Sequence, residues 1–234
     1  MIQSGGVYSL KLLGNPTDDI LKPDCIVAGF SCQYKLYNAC VYRTLLINPT
    51  SSQEKNYERV LGLNKLLITN IKAGVKLSAI YETGIQYMKS ELPDFEIPNN
   101  FGFGIGLEYR ENPLVITAKN DRVFEPGMAF LVVTVFKDLK AGEKKYALML
   151  TDMVIISKEG VEVTSNDAEK KLDDINFAIE FEDEKEKKEK KKDLPNAHPT
   201  ERRRRQNKGE KNGVKLQSLQ ERITHQNYLK NLKN

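Results

Sequence analysis

Chemistry in a protein needs nucleophiles, acids, bases or metal ligands at workable spacing, and this chain has few of them. Its only histidines are His198 and His225, and its only cysteines are Cys25, Cys32 and Cys40. There is no HExxH pair, no CxxC, and no Cys/His set with zinc spacing. The three thiols lie in strand-like apolar settings with no histidine near them, so they read as buried small hydrophobes and not as nucleophiles. Gly102, Gly104 and Gly106 form GxGxG, not the GxGxxG of a dinucleotide loop, and no GKS or GKT follows. Their better explanation is close backbone approach between strands, where a Cβ would not fit. Two charged residues inside apolar runs stand out. Asp152 lies between Thr151 and Met153, and Arg43 lies between Tyr42 and Thr44. A carboxylate and a guanidinium in such places each require a partner, which makes a structural ion pair the expectation for both.

The elements that would hold these residues can be drawn from the pattern. Apolar stretches at 7–13, 24–31 and 41–47 read as neighbouring strands. Thr50 and Gln53 have capping-box spacing and open a helix carrying Tyr57, Leu61, Leu67, Ile68 and Ile71, with Gly74 as its stop. Ser78 is the expected cap of a second helix bearing Tyr81, Ile85 and Met88, which closes before Pro93. Sheet returns at 101–106, 128–136 and 146–156, with a hairpin around Gly142. Helices following buried strands and then more sheet indicate an α+β or layered domain ending near Val163.

Charge divides the chain. Of its 234 residues, those from 185 onward hold 16 Lys/Arg and 6 Asp/Glu, whereas the preceding 184 are net acidic at −6. The stretch 180–193 is nearly all Glu, Asp and Lys and has too little apolar surface to offset the entropy of ordering, so residues 166–200 read as a charged flexible linker. Residues 201–234 read as a basic, partly helical connector, in which Val214, Leu216, Leu219, Ile223 and Leu229 line one side. Arg202, Arg203, Arg204 and Arg205 form a basic contact or targeting segment, without interleaved aromatics to stack bases. No apolar run approaches the ~20 residues of a spanning helix, so no membrane partner is expected. Three cysteines without a disulfide pattern fit a reducing compartment.

One resemblance organises these observations. The runs YNACVYRT from Tyr37, NFGFGIGLEYRE from Asn100, LVI from Leu114, then Lys119-Asn120 and PGMAF from Pro126 follow one another with family spacing. They resemble the aminopeptidase-like domain of the large subunit of the FACT histone chaperone complex, over about residues 1–165. The resemblance implies a pita-bread fold, creatinase/methionine aminopeptidase-like, here a catalytic-type lobe without catalytic residues. Active relatives hold two metals through two aspartates, a histidine and two glutamates. The family register puts those positions at Gly29, Cys40, Phe103, Val133 and Thr151, with a further histidine position at Arg110. This set cannot hold a divalent metal, so no cofactor is expected. The resemblance further implies a histone-binding protein that reorganises nucleosomes in transcription, replication and repair, without peptidase activity. Its partners would be histones, the small HMG-box subunit and nucleosomal chromatin, and its location the nucleus and chromosome. Phe103, Arg110, Glu111 and Val133 are the candidate peptide groove, Phe103 and Val133 as its floor. Compared with the family, the chain looks like a fragment or a shortened form: it starts near the second lobe and stops before a dimerisation domain. The alternatives are a metallo-aminopeptidase of the same fold and a basic-tailed nucleic-acid binder.

Overall fold

The computed structural model describes residues 1–10 and 20–179. Among the described residues, nine strands and three helices lie within the compact unit Met1–Ile179. A first sheet has the order β1-β2-β3-β9, from β1 (Ile2–Gln3), β2 (Cys25–Tyr34), β3 (Tyr37–Ile47) and β9 (Asn176–Phe177). A second has the order β5-β4-β6-β7-β8, from β4 (Gly102–Gly104), β5 (Glu111–Val115), β6 (Ala129–Ala141), β7 (Lys144–Ile156) and β8 (Val161–Val163). All ladders are antiparallel except β3 with β9.

The helices α1 (Ser51–Asn70) and α2 (Leu77–Glu91) cover one side of the sheets. The capping box forms as expected: the Thr50 hydroxyl accepts from the Gln53 amide, and the Gln53 side chain accepts from the Thr50 amide at 2.9 Å. Such a cap contributes about 1 kcal/mol. Tyr57, Val60, Leu61, Asn64 and Leu67 recur at helical spacing and make the buried face of α1. On α2 the face is Leu77, Ile80, Gly84 and Met88. A Cβ at Gly84 would fall 2.4 Å from the Phe101 ring, so the bare backbone lets that ring seat against the helix. Together with Phe101, Phe124, Phe130, Leu148 and Leu150, these residues form the main core.

The two sheets meet where β3 runs along β7, and side chains make the hydrogen bonds there. The Thr44 hydroxyl accepts from the Met149 amide at 2.7 Å and donates to the Met149 carbonyl at 3.1 Å, so one side chain serves both groups of a buried residue. The Tyr42 amide donates to the Thr151 hydroxyl at 2.9 Å, and the Cys25 thiol donates to the Ala147 carbonyl.

Several expectations are corrected. The first strand is Ile2–Gln3, and residues 7–10, placed in a strand from their apolar pattern, form none. The cap of α2 is Lys76; Ser78 lies inside the helix and donates to Asp121 at 3.0 Å. The first helix ends at Asn70, and Gly74, at φ +84°, shapes the following turn. Cys32, grouped with the buried thiols, is exposed because it lies on the outer part of β2. The compact unit continues past 165: residues 166–179, expected to begin a flexible linker, include α3 (Leu172–Ile175) and β9. Ile175 is buried in the main core, and Arg43 and Asp152 hold the preceding loop, which is why the segment is ordered despite its polar composition. The rest of the expected linker, the basic connector 201–234 and Arg202, Arg203, Arg204 and Arg205 lie outside the described residues.

Candidate functional site

On the side of the sheets away from the helices is a second cluster: Val27, Cys40, Tyr42, Phe103, Ile105, Leu131, Val133, Ala147 and Met149. Alternation along β3 puts Cys40, Tyr42 and Thr44 on one face, while β4, β6 and β7 bring up Phe103, Val133 and Thr151. Val133 and Thr151 are cross-strand partners. Gly29 on β2 pairs with Tyr42. The five positions singled out in the sequence therefore converge, and what they converge on is Tyr42.

A Cβ on Gly29 would fall 2.2 Å from Cδ1 of the Tyr42 ring and 2.6 Å from the Val41 carbonyl oxygen. The tyrosine thus fills the space over Gly29 while its amide donates to Thr151. Its hydroxyl lies 3.2 Å from that of Tyr109. Tyr109 also lies against Phe103, with ring centroids 6.4 Å apart. Burial pushes the Cys40 thiol up to about 11 and raises both tyrosines above their ordinary range. At neutral pH the centre accordingly holds hydroxyls and a thiol, all protonated.

These residues do not fit a pair of divalent metals. Such ions need anionic or imidazole donors, and here one protonated thiol is ringed by aromatic and aliphatic groups. Among the described residues, no three His, Cys, Asp or Glu side chains are grouped to hold an ion.

Above the cluster, Arg110 is exposed and stacks its guanidinium on Phe103, with Cζ 5.2 Å from the ring centroid. Among the described residues it forms no ion pair with Glu108 or Glu111. Glu111 is half-buried and lies beside Gly106, where a Cβ would come within 3.2 Å of its Oε1. Phe103 and Val133, expected as an apolar groove floor, are only 2% and 6% exposed. Arg110 and Tyr109 cover Phe103, so the accessible surface here belongs to Tyr109, Arg110 and Glu111.

Next to Thr151, Asp152 is fully buried and satisfied by charge. Arg43 Nη2 lies 2.9 Å from its Oδ1, Lys170 Nζ lies 2.6 Å from its Oδ2, and the Ser165 hydroxyl donates at 2.8 Å. Arg43 also donates to the carbonyls of Tyr42, Thr151 and Ala168. The structural ion pair expected of both residues is present, and it ties β3, β7 and the 165–170 loop together. The expected glycine packing also holds: a Cβ on Gly102 would meet the Leu131 carbonyl oxygen at 2.0 Å, and one on Gly104 would meet the Leu114 side chain at 2.8 Å. Sequence reasoning passed over Tyr42 and Tyr109 as site residues. The available signal was a large aromatic two positions from Cys40 on the same strand face.

Residues 1–158 match metallopeptidase family M24. The chain belongs to that family. This family member is similar to "FACT complex subunit spt16" of Emericella nidulans, at 34% identity over 82% of this chain and 20% of that protein. It is also similar to a solved N-terminal domain of FACT complex subunit SPT16 from Cicer arietinum, with a TM-score of 0.71 and 33% identity over 75% of this chain and 44% of that one. An X-Pro aminopeptidase from Thermotoga maritima superimposes with a TM-score of 0.64 at 22% identity, covering 76% of this chain and 48% of that one. That likeness shows the fold alone. The M24 member thus has the expected pita-bread fold of mixed α and β structure. It spans about a fifth of the length of the curated relatives it matches.

Proposed function

We propose that this M24 member is a non-catalytic histone-binding domain of a FACT-type chaperone, active in nucleosome reorganisation during transcription, replication and repair in the nucleus and on the chromosome. The observation that carries the reading is the centre itself: Tyr42, Tyr109, Phe103 and Cys40 pack together with no carboxylate or imidazole among them, around positions that the family resemblance assigns to metal ligands. Peptide hydrolysis has no metal-activated water to use there, whereas the surface of Tyr109, Arg110 and Glu111 can still receive an unmodified polypeptide. The similarity to proteins named FACT complex subunit SPT16 supports histones as that polypeptide, and the HMG-box subunit and nucleosomal chromatin as further partners. Exposed Arg110, held on Phe103, and half-buried Glu111 are the polar groups offered at the surface. Contacts to such a rim are distributed and solvent-screened, so they orient a basic partner more than they bind it tightly.

The experiment is a titration of labelled core histones with the full chain at fixed salt, alongside a peptidase assay with added manganese. Saturable histone binding that changes more in Arg110→Glu than in Cys40→Ala, and that persists when Arg202, Arg203, Arg204 and Arg205 are all alanine, supports the reading. Absence of histone binding, or manganese-dependent release of amino acids, overturns it.

A further inference from the structure

The outer half of β2 is an open edge with an apolar side. β1 covers this strand only as far as Gly29: Ile2 pairs with Ala28, Gln3 with Val27, and Met1 and Gly29 exchange N–H···O bonds at 2.7 and 2.9 Å. On its other edge β2 pairs with β3 through Phe30↔Val41, Cys32↔Ala39 and Tyr34↔Tyr37. Hydrogen bonding alternates along an antiparallel strand, so even-numbered residues here bond to β3 and odd-numbered ones face the β1 side. Beyond Gly29, the N–H and C=O groups of Ser31 and Gln33 point to that open edge, and no partner reaches them among the described residues. Side chains on the even positions are apolar, and Phe30 and Tyr34 are 65% and 73% exposed. The hairpin turns at Lys35 and Leu36, both at positive φ, 46° and 71°. Such a turn favours Asn-Gly, and holding two side chains there costs stability. Lys35 is the only charge between Gly29 and Tyr42.

We propose that this edge is a self-association site on which a second copy of the chain pairs β2 with β2, antiparallel and about a two-fold axis. The occupant follows from the register. If Ser31 of one copy faces Gln33 of the other, the symmetric partner pair forms as well, and all four free groups of each copy are satisfied. The same register sets Phe30 against Tyr34 of the partner copy twice and Cys32 against Cys32 at the axis. The ladder ends where β1 begins, so the free stretch has the length that this pairing uses. The contact brings no like charges together in its ladder, which suits two identical surfaces. It is small beside the ~800 Å² per partner of stable interfaces, so the dimer is weak and concentration-dependent.

Cys32 supplies a direct test. Opposed residues in a non-hydrogen-bonded antiparallel pair have Cα atoms about 4.5 Å apart, within the range a disulfide spans. Copper(II)–phenanthroline is added to the full chain over a concentration series. Two Cys32 thiols then each lose a proton to the buffer and an electron to copper(II), which becomes copper(I), and the two sulfurs form one S–S bond. The expected result is a covalent dimer in the parent and none in Cys32→Ser, while Cys32→Ser still self-associates in sedimentation. Ser31→Pro removes an N–H that β3 does not use and should slow cross-linking about tenfold or more, since symmetry deletes two hydrogen bonds. Tyr34→Lys, at an exposed side chain, should slow it as well and leave folding intact. A parent that stays monomeric without a Cys32 link, or a link formed at the parent rate in both Ser31→Pro and Tyr34→Lys, overturns the proposal.

Discussion

Tyr42 lies over Gly29 so closely that a single Cβ added to the glycine would fall 2.2 Å from the tyrosine ring. The pair joins β2 to β3 beside the cluster that holds Cys40, Phe103 and Val133. The glycine and the ring are therefore one steric unit, and a side chain at position 29 has room only if the ring moves or is removed.

Gly29→Ala should destabilise the domain by about 1–3 kcal/mol through overpacking. In a Tyr42→Ala background the same change should cost markedly less, because the clash is gone. Urea unfolding of the four proteins measures the coupling, and additive costs would refute it.

Asp152 has three donors that carry or share charge, two of them cations. Asp152→Asn keeps the volume but leaves Arg43 and Lys170 without their counter-ion, with an expected loss of about 3–5 kcal/mol. Amide hydrogen exchange should rise first in residues 165–170, whose carbonyls Arg43 also holds. Uniform exchange throughout the domain would show that the network does not secure that loop.

Asn64 lies fully buried on the core face of α1, and among the described residues neither its Nδ2 nor its Oδ1 has a hydrogen-bond partner. Asn64→Leu should stabilise the domain by roughly 1 kcal/mol, since it removes two unsatisfied polar atoms and keeps similar volume. Thermal unfolding checks this, with a lower Tm as the contrary outcome.

Alkali should destabilise the fold through its buried thiols. Cys40 is pushed up from 9.0 to about 11 and Cys25 from 9.0 to about 12, both chiefly by burial. The unfolded chain releases these protons first, so the stabilising contribution is whole below pH 9 and is lost as pH rises toward 11 and 12. Cys40→Ala should flatten the decline in unfolding free energy between pH 9 and 11. At pH 8, a thiol reagent should modify exposed Cys32 at once and leave the other two for the unfolded state.

The sequence by itself determined the local features. The Thr50–Gln53 box, the strands containing Cys25 and Cys40, the glycines at 102 and 104, and a partnered Asp152 and Arg43 all depend on short-range pattern or on a penalty each residue carries wherever it is buried. It also showed that histidines are confined to positions 198 and 225 and that no HExxH or CxxC occurs, because a motif can be read without coordinates. The tertiary structure alone decided who meets whom. Nothing in the periodicity of β3 says that Tyr42 covers Gly29, that Thr44 supplies both hydrogen bonds of Met149, or that Arg110 stacks on Phe103 in preference to pairing with its neighbouring glutamates. Residues 166–179 show the limit most clearly. Their composition suggests a linker, yet buried Ile175 and the Arg43–Asp152–Lys170 network order them from more than a hundred residues away in the case of Arg43. Order there comes from partners distant in sequence, and local composition carries no record of them.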